Sequence, residues 1–216
     1  MQLGFDLGAE PKPEQAPAFT SPSDFASTLA TWQENITNPL PNAKKCHAHP
    51  VETPLGTMVA ICDADTLHLL EFADRPELPR EVHKLAKTTG LICPGQTAAT
   101  SKLMAELTTY FAGALTRFTL PLALHGTDFT KSVWAALTQI PHGTTQSYGT
   151  LAQSLGQPNA TRAVARANGA NQIAIVVPCH RVIGADGTLT GYAGGLWRKR
   201  ALLDLESRPQ NSAAPV

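Results

Sequence analysis

No stretch of this chain approaches the roughly 20 consecutive apolar residues that a membrane-spanning helix needs, so no such span is expected. The first ten residues carry Asp6 and Glu10 and lack the basic flank and apolar block of a secretory leader, and a cytoplasmic protein, nucleoid-associated in a bacterium, is the expectation. Cysteine is scarce. Four of them, Cys46, Cys62, Cys93 and Cys179, fall at irregular spacing in 216 residues, which does not describe a disulfide framework. Net charge is also missing, since 17 Lys and Arg balance 17 Asp and Glu. What the chain has is 43% apolar residues, enough for a globular core. Its charge is unevenly placed: residues 1–124 hold 9 basic against 13 acidic side chains, and residues 125–216 hold 8 against 4. A basic second half hints at a polyanionic partner there.

The periodicities divide the chain. Residues 1–48 read as a proline-rich, partly disordered extension with one short helix at 24–36, capped by Ser23 and stopped by Asn38-Pro39-Leu40-Pro41. Residues 49–124 read as a small α/β unit. It has strands at Met58 to Cys62 and Leu67 to Phe72, a helix near Arg80 to Lys87, and another from about Thr97 to Ala112 with Leu103, Leu107, Tyr110 and Phe111 buried. Residues 125–208 read as mostly helical. Thr127 or Asp128 caps one helix and Ser147 a short second one, and a third runs from about Asn159 to Asn168. The last two, joined through Gly156, form a helix-turn-helix pattern whose second helix carries Arg162 and Arg166. The apolar run Ile173 to Val177 reads as a strand, Asp186-Gly187 as a hairpin turn, and residues 209–216 as a disordered tail.

That run delivers Pro178-Cys179-His180-Arg181-Val182. A lone cysteine is often only a small buried hydrophobe. A free thiol is only a few per cent ionised at pH 7, so a nucleophilic cysteine needs a base, a neighbouring cation or a helix N-terminus. His180 is adjacent, but alternation along a strand would turn it to the other face. The residues alone leave both readings open.

Val177-Pro178-Cys179-His180-Arg181-Val182 resembles the active-site signature of the O6-alkylguanine-DNA alkyltransferases. Other segments match in order: Gly126-Thr127-Asp128-Phe129 with Val133-Trp134, Ile140-Pro141-His142-Gly143, Ser147-Tyr148-Gly149-Thr150-Leu151-Ala152, Arg162-Ala163-Val164, and Gly194-Gly195 followed by Arg198-Lys199 and Leu202-Leu203. The resemblance spans about residues 50–207. It implies an α+β protein, with a small ribonuclease H-like N-terminal α/β domain followed by a helical domain bearing a winged helix-turn-helix-like motif.

It also implies a reaction, in which the alkyl group on guanine O6, with thymine O4 a second candidate, moves irreversibly onto Cys179. His180 would act through water as base, Glu206 would hold the imidazole, Asn171 would brace the turn, and Tyr148 would donate to the leaving guanine. Arg162 would fill the place of a nucleotide rotated out of the duplex, with the second helix in the minor groove. Ala163, Arg166 and Lys199 would lie against the backbone, and Val182, Tyr192, Ala193 and Gly194 would wall the base pocket. Ala193 departs from the serine many relatives carry. The product is a thioether, so each molecule would act once, without a cofactor, as a monomer on alkylated double-stranded DNA.

Cys46, Cys62, His68 and His125 are zinc-ligand types in roughly the order some relatives use, but the cysteines are out of register and no metal is expected. Three rivals stand beside the repair reading. A lesion-binding relative that flags without repairing would lack the acceptor, which Cys179 supplies. A thiol hydrolase would not need the helix-turn-helix. A regulator using alkylation as a signal would carry an added cysteine-rich domain, and residues 1–48 contain only Cys46.

Overall fold

Two apolar strands and the turn residues between them form the centre of the first half. The computed structural model describes residues 18–36 and 45–208. Strands β1 (His47–Val51), β2 (Met58–Cys62) and β3 (Leu67–Phe72) run antiparallel in succession, and β4 (Cys93–Pro94) pairs in parallel with β1, giving the order β3-β2-β1-β4. The β2–β3 turn is held by Asp63, whose Oδ1 accepts from the amides of Asp65 and Thr66 at 3.0 and 2.8 Å. That is the local bonding that makes Asp a turn residue.

Every residue of β2 and β3 is buried, because helices cover both faces of the sheet. On one face α1 (Pro22–Trp32) and α2 (Leu78–Thr89) bring Phe25, Leu29, Leu78, Val82 and Leu85 against Val59, Ile61 and Leu69. On the other, Met58, Ala60, Leu70 and Phe72 share a core with Leu103, Leu107 and Tyr110 of α3 (Ala98–Phe111) and with Trp134, Leu137, Ile173 and Leu202 from the second half. One apolar core therefore crosses the boundary between the two halves. Beyond β3, buried Arg75 reaches Glu71 at 2.7 Å and Glu81 at 3.1 Å, tying the strand's end to α2.

In the second half the capping residues set the helix starts. Thr127 caps α4 (Asp128–Leu137) and Ser147 caps α5 (Tyr148–Ser154), each accepting from the amide three residues on at 3.2 and 3.0 Å. A 3-10 turn at Pro158–Ala160 leads into α6 (Thr161–Gly169), and Gly156 makes the reversal with φ 70°, a conformation that suits a residue without Cβ. Trp134 on α4 donates from Nε1 to the Ala167 carbonyl at 2.8 Å and fixes α6 on the core. The chain closes with α7 (Leu196–Ser207).

Three expectations change. The first helix runs Pro22–Trp32 and not 24–36, with Ser21 as its cap, Oγ accepting from Asp24 at 3.1 Å, because proline takes the first helical position where no amide donor is needed. Ile173 to Val177 is not a strand. It is a tight turn with Ile175 at φ 70°, buried on all sides because it is packed into the core. Asp186-Gly187 does not make a hairpin: β6 (Val182–Ile183) pairs in parallel with β5 (Gln146–Ser147), and Asp186 closes its own loop by accepting from Thr188. The Asn38-Pro39-Leu40-Pro41 stop, the proline-rich start through residue 17 and the tail from residue 209 lie outside the described residues. Among the described residues, no helix is long and apolar enough to cross a membrane.

Two later segments of the chain cover the edge of β3. Leu67 donates to Pro121 and accepts from Ala123, while Leu70 donates to Gln172 and accepts from Ala174, all at 2.8–2.9 Å. The second of these covers is the turn that leads to Cys179.

Candidate active site

Two amides at the exit of α6 hold Cys179. Asn171 accepts from the Ile173 amide through Oδ1 at 3.0 Å, and its Nδ2 donates to the carbonyls of Ile173 (3.3 Å) and Val177 (2.9 Å) and to Cys179 Sγ (3.1 Å). Asn168 Nδ2 donates to the Cys179 carbonyl at 3.4 Å. This side-chain bonding winds the turn that the β-branched run suggested as a strand, and it lets a 3-10 turn at Cys179–Arg181 follow. Cys179 is 6% exposed. Burial pushes its thiol up to about 11; Glu71 adds to the rise, while the Asn171 donor, Lys199 and Arg75 oppose it. At rest the group is a thiol.

The 3-10 turn places His180 against α7. Its Nε2 lies 2.9 Å from Glu206 Oε1, and both residues are buried. Glu206 also takes Arg181 Nε (2.8 Å) and Nη2 (2.8 Å), the Tyr110 hydroxyl (2.7 Å) and the Gly143 amide (3.3 Å). Burial alone would raise this carboxyl, but the hydrogen bonds and charges of His180 and Arg181 hold it well below the usual carboxylate range. An ionised carboxylate only accepts, so His180 carries its proton on Nε2. Nδ1 is then the basic nitrogen, and it is buried without a hydrogen-bond partner among the described residues. Burial lowers the His180 pKa, outweighing the Glu206 attraction, which keeps the imidazole neutral near pH 7.

Beside the thiol lie the residues expected to wall a pocket. Val182 is fully buried, Ala193 is exposed, and Gly194 is buried where a Cβ would meet Tyr192 and Phe72 ring carbons at 2.8 and 2.9 Å. The Tyr192 hydroxyl is buried without a partner among the described residues. Tyr148, first in α5, is half-buried and donates to the Thr190 carbonyl at 3.3 Å. Arg198 fixes the loop from below, donating to Gly194 O (2.8 Å), Leu55 O (2.9 Å) and Asp74 (2.8 Å) with its guanidinium 4.0 Å from the Phe72 ring.

On α6, Arg162 and Arg166 are exposed four residues apart on one face, with Ala163 half-buried between them. Lys199 is a correction. Instead of reaching the surface toward phosphates it is fully buried, with Nζ 2.6 Å from the carbonyls of both Val182 and Thr190. Burial brings it down to about 8, opposed by Cys179. It is a buried cation that bridges the Val182 and Thr190 carbonyls and favours the Cys179 thiolate. The zinc candidates do not converge either. His68 and His125 meet at 2.9 Å, but as a hydrogen-bonded pair whose other end is Asp63, 3.2 Å from His68 Nε2. Cys46 and Cys62 belong to separate apolar clusters. Among the described residues no group of three or more ligand-type side chains is arranged for a metal.

The amino-acid pattern gave no role to Arg181, Tyr110, Asn168 or Arg198. Arg181 stands inside the cysteine motif and was open to notice. Arg198 stands in a matched segment without a role attached to it, and Tyr110 and Asn168 are ordinary by residue type and position; only tertiary contacts give these three work at the site.

A buried cysteine backed by a histidine–carboxylate pair, at the exit of a helix-turn-helix with exposed arginines, defines a nucleic-acid-facing protein built around a thiol. Two family models cover most of the chain: the ribonuclease-like domain of 6-O-methylguanine DNA methyltransferase over residues 47–124, and the DNA-binding domain of the same family over residues 128–208. The chain belongs to the 6-O-methylguanine DNA methyltransferase family. It is 46% identical over 160 residues to the methylated-DNA–protein-cysteine methyltransferase of Mycobacterium tuberculosis, covering 74% of this chain and 92% of that one. To the Salmonella typhimurium protein of the same name it is 44% identical over 158 residues, 71% and 91% of the two chains. The crystal structure of Mycobacterium tuberculosis OGT in complex with DNA superposes with a TM-score of 0.66 at 44% identity, over 74% of this chain and 92% of that one.

Proposed function

We propose that this protein repairs DNA by direct reversal, moving an alkyl group from guanine O6 in duplex DNA to its own Cys179. The observation that carries the reading is the buried line Glu206–His180 ending in a free Nδ1 on the residue next to the thiol. A water joining Sγ to Nδ1 takes the thiol proton to the imidazole. The thiolate, stabilised by the Lys199 cation and the Asn171 donor, then attacks the alkyl carbon. The S–C bond forms as the C–O6 bond breaks, and the electron pair leaves with guanine. Tyr148 donates a proton to the departing base, and the imidazolium proton returns through water to close the balance. A thioether is a poor leaving group, so the reaction is stoichiometric in protein and needs no cofactor. We place the protein in the cytoplasm, whose reducing conditions suit four free cysteines.

Mass spectrometry after incubation with an O6-methylguanine duplex tests this. The peptide bearing Cys179 should gain about 14 Da, the mass of a methyl group replacing a proton on the nucleophile. Binding with no mass gain would leave only lesion recognition.

Access to a stacked base costs a few kcal/mol, and Arg162 is the exposed side chain proposed to occupy the vacated place. Replacing it with alanine should slow repair in duplex DNA by about 10- to 100-fold, the scale of losing a few kcal/mol of flipping assistance. Reaction with free O6-benzylguanine should stay near the wild-type rate. Equal losses on both substrates would remove the flipping role.

A further inference from the structure

Tyr110 is a buried titratable group that the alkyl transfer leaves unused, and it comes from the other half of the chain. It sits in the last turn of α3, 1% exposed, with its ring 5.3 Å from Phe111, 5.4 Å from Phe118 and 6.2 Å from the His142 imidazole. Its hydroxyl donates at 2.7 Å to Glu206 Oε1, the same oxygen that receives His180 Nε2. Packing does not require that oxygen, since a phenylalanine would fill the same ring site. Burial and the neighbouring Glu206 charge keep the phenol protonated far above its ordinary range, so it is a permanent donor.

We infer that Tyr110 is a positioning residue through which the N-terminal α/β half completes the active site, setting how strongly Glu206 orients and charges His180. A carboxylate that shares its charge with Arg181, Gly143 and Tyr110 has less to give the imidazole. Remove the phenol hydroxyl and Glu206 holds the imidazolium more tightly, which raises the pH at which His180 becomes a base. The charged and titratable groups around this point are Glu206 and Lys199 on α7, His180 and Arg181 on the 3-10 turn, His142 after α4, and Tyr192 on the pocket loop. Of these, His142 and His180 are imidazoles, and each has a buried nitrogen without a partner among the described residues.

The inference rests on the alkyl-transfer reading, so the test runs wild type and Tyr110→Phe side by side, on O6-methylguanine duplex and on free O6-benzylguanine. Phe should lower the plateau rate about five- to tenfold on both substrates, the scale of one ordinary hydrogen bond, because Glu206 freed from the N-terminal half draws the His180 imidazole out of line with the thiol. It should also move the acid limb of the pH–rate profile up by about half a unit. Imidazole 15N NMR of labelled protein should show the same shift at His180 and separate it from His142. A variant with 3-fluorotyrosine at position 110 keeps the ring and supplies a stronger donor, so its limb should move down even if Phe folds poorly. A rate loss with an unmoved limb reduces Tyr110 to packing and overturns the inference, as does a loss confined to duplex DNA or a wild-type profile. A wild type that transfers nothing overturns the functional reading itself, and this inference with it.

Discussion

Cys179→Ala should bind alkylated duplex DNA with an affinity within about twofold of wild type and accept no alkyl group at all, since a change away from the binding surface typically moves free energy by about half a kcal/mol or less. The sulfur is buried, while the exposed arginines stand on α6. Removing it does not unwind the turn, because Asn171 Nδ2 keeps the Val177 and Ile173 carbonyls. Intact-mass measurement should stay at the unmodified value, and an electrophoretic titration should give the wild-type midpoint. Residual transfer would mean that another cysteine is the acceptor; Cys93, half-buried on β4, would be tested first. Lost binding would mean that the thiol region contributes to the DNA surface.

Glu206→Ala should be the most damaging single change to the fold. Four groups lose their acceptor: the guanidinium of Arg181, whose side chain is 8% exposed, the imidazole of His180, the Tyr110 hydroxyl and the Gly143 amide. Stripping the partner from a buried charge costs about 3–5 kcal/mol, and Arg181 cannot shed its proton to escape. Chemical denaturation at pH 7 measures the loss. The pH dependence carries a second signature. Because the fold depresses the Glu206 pKa, its contribution is fully present above the ordinary value of 4.5 and is lost as pH falls through the depressed folded value. The gap between wild type and Glu206→Ala should therefore narrow in acid. A pH-independent gap would mean that the loss is a cavity and not a charge.

What could be read from the sequence was whatever is encoded locally. Thr127 (with Asp128 beside it) and Ser147 are cap candidates by residue type and position, and Thr127 and Ser147 each start their helix. The buried stripe Leu103, Leu107, Tyr110 and Phe111 follows from helical spacing. Reading failed where a side chain overrides the backbone preference around it. Ile173 to Val177 has strand composition, but Asn171 bonds three groups within the run and folds it into a turn. The family resemblance puts Lys199 against the DNA backbone, whereas carbonyls of Val182 and Thr190 hold it inside. At the site, the cysteine motif and its ordered partners named Cys179, His180, Asn171 and Glu206; the fold joins Asn171 to the thiol and Glu206 to the imidazole next to it. Tyr110 was legible as a core ring but not as a donor, because its acceptor lies 96 residues away.

An open sheet edge is a template on which a foreign strand can grow. At the outer edge of β3, amides and carbonyls are occupied by two of the chain's own segments, one around Pro121 and one around Gln172 to Ala174. The second is the segment that carries the reactive turn, so one stretch of chain is both chemical tool and guard rail. Anything that springs the Asn171 turn also bares a sticky strip of backbone, and loss of the working geometry and a tendency to self-associate become two readings of a single event.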